Sequence, residues 1–147
     1  MSTKKKLLLG AAGAAAAGGA GLDVDECFSC HLYDGTGSSQ TITNSIDLTE
    51  GGLIWVKNRG SAQEHVLFSS ETSGVLSSDS TAAISSASLQ PTFNSNGFTI
   101  PSTTWGALNQ TSQEYVSWTF RKAPNFFDVV TTWTGNGSSD RAISHNL

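Results

Sequence analysis

The chain has 147 residues, a formal charge of −4 and a charged fraction of only 14%, room for one domain with a single core. Lys4, Lys5 and Lys6 supply three of its eight basic residues, so from Leu22 onward five basic residues face twelve acidic ones. A surface of that sign gives no electrostatic attraction to nucleic acid or anionic lipid, and both are excluded as partners.

Residues 1–21 join the basic Lys4-Lys5-Lys6 segment to Leu7, Leu8, Leu9 and a run of Ala and Gly. This stretch reads in two ways, as a secretory signal or as a flexible or short helical arm that packs within an assembly. It is too short and too Gly-rich to span a membrane.

Beyond Leu22, Val24, Phe28, Cys30 and Leu32 fall on even positions and Asp23, Asp25, Cys27, Ser29 and His31 on odd ones. Period two predicts a strand with Phe28 and Leu32 turned to the core. Then comes Tyr33-Asp34-Gly35-Thr36-Gly37-Ser38-Ser39-Gln40, which recurs as Trp133-Thr134-Gly135-Asn136-Gly137-Ser138-Ser139-Asp140 at a constant offset of 100 residues. Paired glycines supply positive φ angles and the hydroxyls bond back to turn amides. Each copy therefore reads as strand, turn and strand, a hairpin corner. The second copy reads as the start of a truncated second repeat over 133–147.

The remaining elements follow the same logic. Thr41 to Thr43 and Ile46 to Leu48 are β-like, and Glu50-Gly51-Gly52 turns the chain into Leu53-Ile54-Trp55-Val56-Lys57. That run is apolar on both faces and predicts a central strand. Lys57 to Ser61 returns it to His65-Val66-Leu67-Phe68, and 69–90 reads as a long loop with a short strand near Val75 and Leu76. Asn96-Gly97 between apolar flanks predicts a hairpin with a type I′ turn. In Tyr115 to Phe120, alternation assigns Val116, Trp118 and Phe120 to the core; Pro124 ends that strand, and Phe126 to Val130 resumes extended structure. Short strands bounded by Gly, Asn, Pro and Ser predict an all-β antiparallel sandwich over 22–132, jelly-roll or lectin-like.

Cys27-Phe28-Ser29-Cys30-His31 fits the c-type haem attachment pattern Cys-x-x-Cys-His. Attachment needs both thiols and the imidazole on one side of the backbone, as positions i, i+3 and i+4 of a helix provide. A strand sends Cys27 and Cys30 to opposite faces, which disfavours haem, and the only Met is Met1, leaving His65 or His145 as second axial ligand. The same geometry weighs against a redox dithiol, and no spacing suits zinc. The preferred reading is two small residues on a first strand, with no cofactor and no metal. No Gly-x-Ser-x-Gly elbow or acid pair marks a catalytic site, so the chain reads as a non-enzyme. Asn109 and Asn136 head glycosylation sequons. Trp105, in a Ser/Thr loop, is the candidate glycan contact, with capping of the core as its alternative role.

Several stretches resemble a recurrent module of virion structural proteins from tailed marine bacteriophages. They are the Lys-Lys-Leu-Leu leader, Leu32 to Ser38, Gln40 to Asn44, Glu50 to Arg59, Phe93 to Phe98, Tyr115 to Val130, and Thr134 to Leu147. The resemblance implies a tail-associated or tail-fibre-like structural module without catalytic residues. Its implied partners are other virion proteins and host-surface glycans, with homo-oligomers as a further expectation, and its implied location is the virion. It also favours an uncleaved N-terminal arm. Cys27 and Cys30 depart from the small residues usual there, making the haem pattern a chance substitution. Two alternatives stand beside this reading: an exported c-type cytochrome using Cys27, Cys30 and His31, and a secreted carbohydrate-binding domain.

Overall fold

The computed structural model describes residues 22–85, 88–137, 140–145 and 147, so the arm over 1–21 lies outside the described residues. One helical turn, α1 (Val24–Cys27), precedes eight strands: β1 (Phe28–Asp34), β2 (Gln40–Thr43), β3 (Gly52–Asn58), β4 (His65–Ser69), β5 (Leu76–Ser77), β6 (Thr92–Asn94), β7 (Gly97–Ile100) and β8 (Glu114–Arg121). They form two antiparallel sheets, β1-β8-β3-β4-β5 and β2-β7-β6. The predicted all-β sandwich is the observed architecture. The run that is apolar on both faces, β3, is central, bonded to β8 and β4.

Both sheets feed one core. Tyr33, Ile54, Val56, Val66, Phe68 and Tyr115 come from the larger sheet, Ile42, Phe98 and Ile100 from the smaller. Ile46, Leu48, Ala107 and Leu108 fill it from the loops. Ile46 to Leu48, expected to be β-like, lie outside any strand, although Ile46 and Leu48 are buried in the core.

Three local expectations are corrected. Val24 to Cys27 is a helical turn rather than a strand, because Asp23 caps it: its carboxylate accepts from the Asp25 amide at 3.3 Å and its carbonyl from the Glu26 amide at 3.0 Å. The β6–β7 hairpin forms, but its loop is Ser95-Asn96 with a positive φ only at Gly97 (+117°), so the turn is not type I′. Glycine is required there by approach as well, since a Cβ would lie 2.0 Å from the Ile42 carbonyl oxygen. Finally, residues 126–130 form no strand. A tight turn with Asn125 at φ +61° and an Ala123–Phe127 bridge follows β8 instead.

The phase of the two long strands is opposite to the expected one. Leu32 is 57% exposed, while Tyr33, Tyr115, Ser117 and Thr119 point inward. The register pairs Cys30 with Trp118 and Trp118 with Trp55, placing Trp118 and Phe120, both half-buried, on the outer face; Val116 shares that face but is buried, as expected. Alternation separates two sets of residues but does not say which set faces in, and here both contain apolar side chains. The inward hydroxyls are satisfied: Ser117 Oγ donates to the His31 carbonyl at 3.3 Å, and Thr119 Oγ1 accepts from Asn44 Nδ2 at 2.8 Å. Outside, Trp55 meets Trp118 at 5.3 Å and Phe120 meets both Phe28 at 5.0 Å and Phe127 at 5.2 Å.

The first glycine turn is not a hairpin. It carries the chain from one sheet to the other, since β1 pairs with β8 and β2 with β7. What holds it is the 106–113 loop: the Gly35 and Gly37 amides donate to the Gln113 and Asn109 carbonyls, each at 2.8 Å. The buried Asn109 side chain accepts from the Thr36 amide at 3.0 Å and from Gln40 Nε2 at 2.7 Å, and donates to the Ser38 carbonyl at 2.7 Å. A side chain so engaged is no glycosylation site.

Candidate functional site

Trp105 owes its position to its neighbours. Its amide donates to Thr103 Oγ1 at 3.1 Å, and its carbonyl accepts from the Leu108 and Asn109 amides, each at 3.0 Å, winding 105–109 into a tight turn. Ala107 and Leu108 are fully buried and anchor that turn in the core. The Gly106 carbonyl accepts from Asn58 Nδ2 at 2.8 Å and from the Tyr115 hydroxyl at 2.9 Å. Burial and, secondarily, the neighbouring Tyr115 push the Tyr33 phenol far above the usual tyrosine range; its hydroxyl donates to the Leu108 carbonyl at 2.8 Å. The indole is therefore half-buried on a braced platform, packed against the core on one side.

Its other side lines a cleft of about 390 Å³ whose opposite wall comes from residues within 75–85 and 88–89. That wall is tied by the Val75 and Ser85 amides, each donating to the other's carbonyl at 3.0 and 3.1 Å. Gly74, at φ +132°, permits the approach, since a Cβ there would lie 2.3 Å from the Ser85 carbonyl oxygen. Val75 and Leu89 add apolar surface, Ser77, Ser85 and Ser88 add hydroxyls, and Glu64 adds a carboxylate at the rim. An aromatic face with hydroxyl and carboxylate acceptors, and no cation among the described lining residues, suits a neutral polyol with one apolar face and opposes an anion.

The haem pattern is not assembled for attachment. Cys27 is fully buried at the end of α1 while Cys30 is exposed on the outer face of β1. His31 shares the inward phase with Ser117. One side of the backbone does not present all three groups, although the cause is a helical turn meeting a strand rather than a strand throughout. Among the described residues, no three or more His, Cys, Asp and Glu side chains converge into a metal-binding group. No helix among them is long and apolar enough to cross a membrane.

Trp105 was legible in the sequence as a candidate. Its partners were not: neither Glu64 nor the wall residues over 75–85 and 88–89 carry a motif or periodicity that would place them opposite residue 105. Asn109 was visible only as a sequon, whereas its structural use is the glycine-turn clamp. No curated protein and no solved structure matches the chain significantly. Residues 23–147, the sandwich together with the second glycine turn, match the family described as "Domain of unknown function (DUF7483)", and the chain belongs to that family.

Proposed function

We propose that the chain is a non-enzymatic structural module of a phage virion, tail-associated, acting through contacts with other virion proteins. The observation that carries this reading is the outer face of the five-stranded sheet. Cys30, Leu32, Trp55, Leu67, Leu76 and Trp118 lie on it by register, with Leu32 57% and Leu76 45% exposed. The Trp55 indole nitrogen is buried there without a hydrogen-bond partner. A sheet face crossed by an apolar row, with Lys57 and His65 as the polar residues beside it, marks a surface made to be covered, and the resemblance of the sequence to virion modules supplies the kind of neighbour. Mass spectrometry of purified particles should recover the chain. Its recovery only from host periplasm or culture medium would sink the reading. A particle carrying Leu32→Asp should lose the protein while the isolated variant keeps its melting temperature.

The Trp105 cleft favours a second mode of action within the same reading, contact with host-surface glycans. Full-length chain on a glycan array should retain neutral hexoses, and Trp105→Ala should abolish retention. Equal binding by the variant would exclude the cleft.

A further inference from the structure

β1 is the edge strand of the larger sheet, and its neighbours reveal which way its backbone groups point. The Gly35 amide donates to the Gln113 carbonyl at 2.8 Å, one step beyond the Asp34–Glu114 pair. On the other side of β8 the Arg59 amide donates to the Glu114 carbonyl at 2.8 Å, so Glu114 serves β3 and Tyr115 serves β1. Alternation then turns the backbone groups of Ser29, His31 and Tyr33 toward β8, and those of Phe28, Cys30, Leu32 and Asp34 away from it. Two of the outward residues are partly engaged: the Phe28 amide donates to the Val24 carbonyl, and the Asp34 carbonyl accepts from Gln40 Nε2 at 3.0 Å. The outward amides and carbonyls of Cys30 and Leu32 have no partner among the described residues.

Natural sheets blunt such an edge with charge, proline or a bulge. Phe28 to Tyr33 holds no Asp, Glu, Lys, Arg or Pro, and its register with β8 runs without a bulge. The opposite edge strand, β5, is only two residues long. We infer that β1 pairs antiparallel with β1 of a second copy, about a two-fold axis at His31. That register sets Cys30 opposite Leu32 of the second copy, each pair exchanging its amide and carbonyl bonds, so every free group is used. An axis at Cys30 would face Leu32 with Phe28, whose amide is taken, and an axis at Leu32 would face Cys30 with Asp34, whose carbonyl is taken. Charge selects the same strand. From Leu22 onward five basic residues face twelve acidic ones, which opposes contact between copies elsewhere, whereas Phe28 to Tyr33 is free of acids and bases of fixed charge. With the axis at His31, Asp34 falls opposite Phe28 and not opposite an acid. The joint is made by backbone, so it joins the outer faces of two sheets into one and does not depend on the virion reading.

Sedimentation of the full chain in reductant should show the mass rising about twofold with concentration, and the Cys30 and Leu32 amides should gain protection from exchange over the same range. A chain that stays monomeric throughout overturns the inference. So does a monomer with those amides already protected, which would assign the edge to residues 1–21. Leu32→Pro removes an amide that the β1–β8 ladder does not use, so this variant should keep its far-UV circular dichroism and sediment as a monomer. A folded variant that still dimerises would place the interface elsewhere and overturn the inference; if the variant does not fold, exchange in the unaltered chain decides. The register has its own test. With the axis at His31 the two copies of residue 31 form a non-hydrogen-bonded pair with Cα atoms about 4.5 Å apart, within disulfide reach. The two Cys30 residues lie on a diagonal of about 7–8 Å, beyond it. Under mild oxidation a chain carrying both Cys30→Ser and His31→Cys should therefore cross-link faster than the unaltered chain. Faster cross-linking through the native Cys30 would overturn this register.

Discussion

Asn109 shows how much one side chain can decide. Its carboxamide bonds the Thr36 amide, the Ser38 carbonyl and the Gln40 side chain, so the corner between the sheets is held from a loop some seventy residues away in sequence. Asn109→Ala would leave buried backbone groups unsatisfied, at about 1–3 kcal/mol for each. We expect a loss of about 2–4 kcal/mol by urea denaturation, read as a fall in midpoint with an unchanged m-value. Tyr33 makes a pH-dependent prediction. Its folded pKa is raised above the ordinary 10.0, chiefly by burial, so only the unfolded chain releases this proton near that value. The contribution to stability is thus complete below the unfolded pKa and is lost as pH rises above it, by about 1.4 kcal/mol per pH unit. Melting temperatures above pH 10.0 should therefore fall, and Tyr33→Phe should flatten that fall. The variant should cost about 0.5–1.5 kcal/mol at neutral pH through the lost bond to the Leu108 carbonyl. Neither role shows in the sequence: Asn109 sits in a sequon and Tyr33 ahead of a glycine turn, and only the loop packed against them defines what they do.

At the scale of elements, α1 and β1 meet between Cys27 and Phe28, and this junction separates the two thiols. In the folded chain one thiol per molecule should react promptly with an aromatic disulfide reagent, and both of the two cysteines after denaturation. Prompt reaction of both thiols in the native chain would contradict the burial of Cys27. The strands β3, β4 and β8 and the β6–β7 hairpin were legible because apolar runs, turn residues and proline mark their limits locally. The facing of β1 and β8 was not. Period two sorts residues into two sets, and in these strands the set with Leu32, Trp118 and Phe120 looks the more apolar and yet faces out. Tyr33, Tyr115, Ser117 and Thr119 can face in because partners satisfy their hydroxyls, which no local pattern reveals.

For the molecule as a whole, the two sheets share one core, so they should unfold together. Phe68 is fully buried within it, and Phe68→Ala should cost about 3–5 kcal/mol. Fluorescence and far-UV circular dichroism should still report a single, coincident transition at a lower denaturant concentration. Two separate transitions would mean that the smaller sheet is an independent unit. The site divides along the same line as the fold. Trp105 could be picked out as a large aromatic in a Ser/Thr loop, but the cleft exists only because the tie between Val75 and Ser85 brings the segment 75–85 opposite it. By itself the sequence determined the all-β class, the order and approximate limits of most strands, and the repeat of the glycine turn, because these follow from alternation, turn chemistry and self-similarity along the chain. Only the tertiary structure decided which face of the larger sheet is buried and that the first glycine turn crosses between sheets. Each of these depends on groups distant in sequence: a carbonyl at Gln110, a carboxamide at Asn109, and hydroxyls that find partners only when the sheets close.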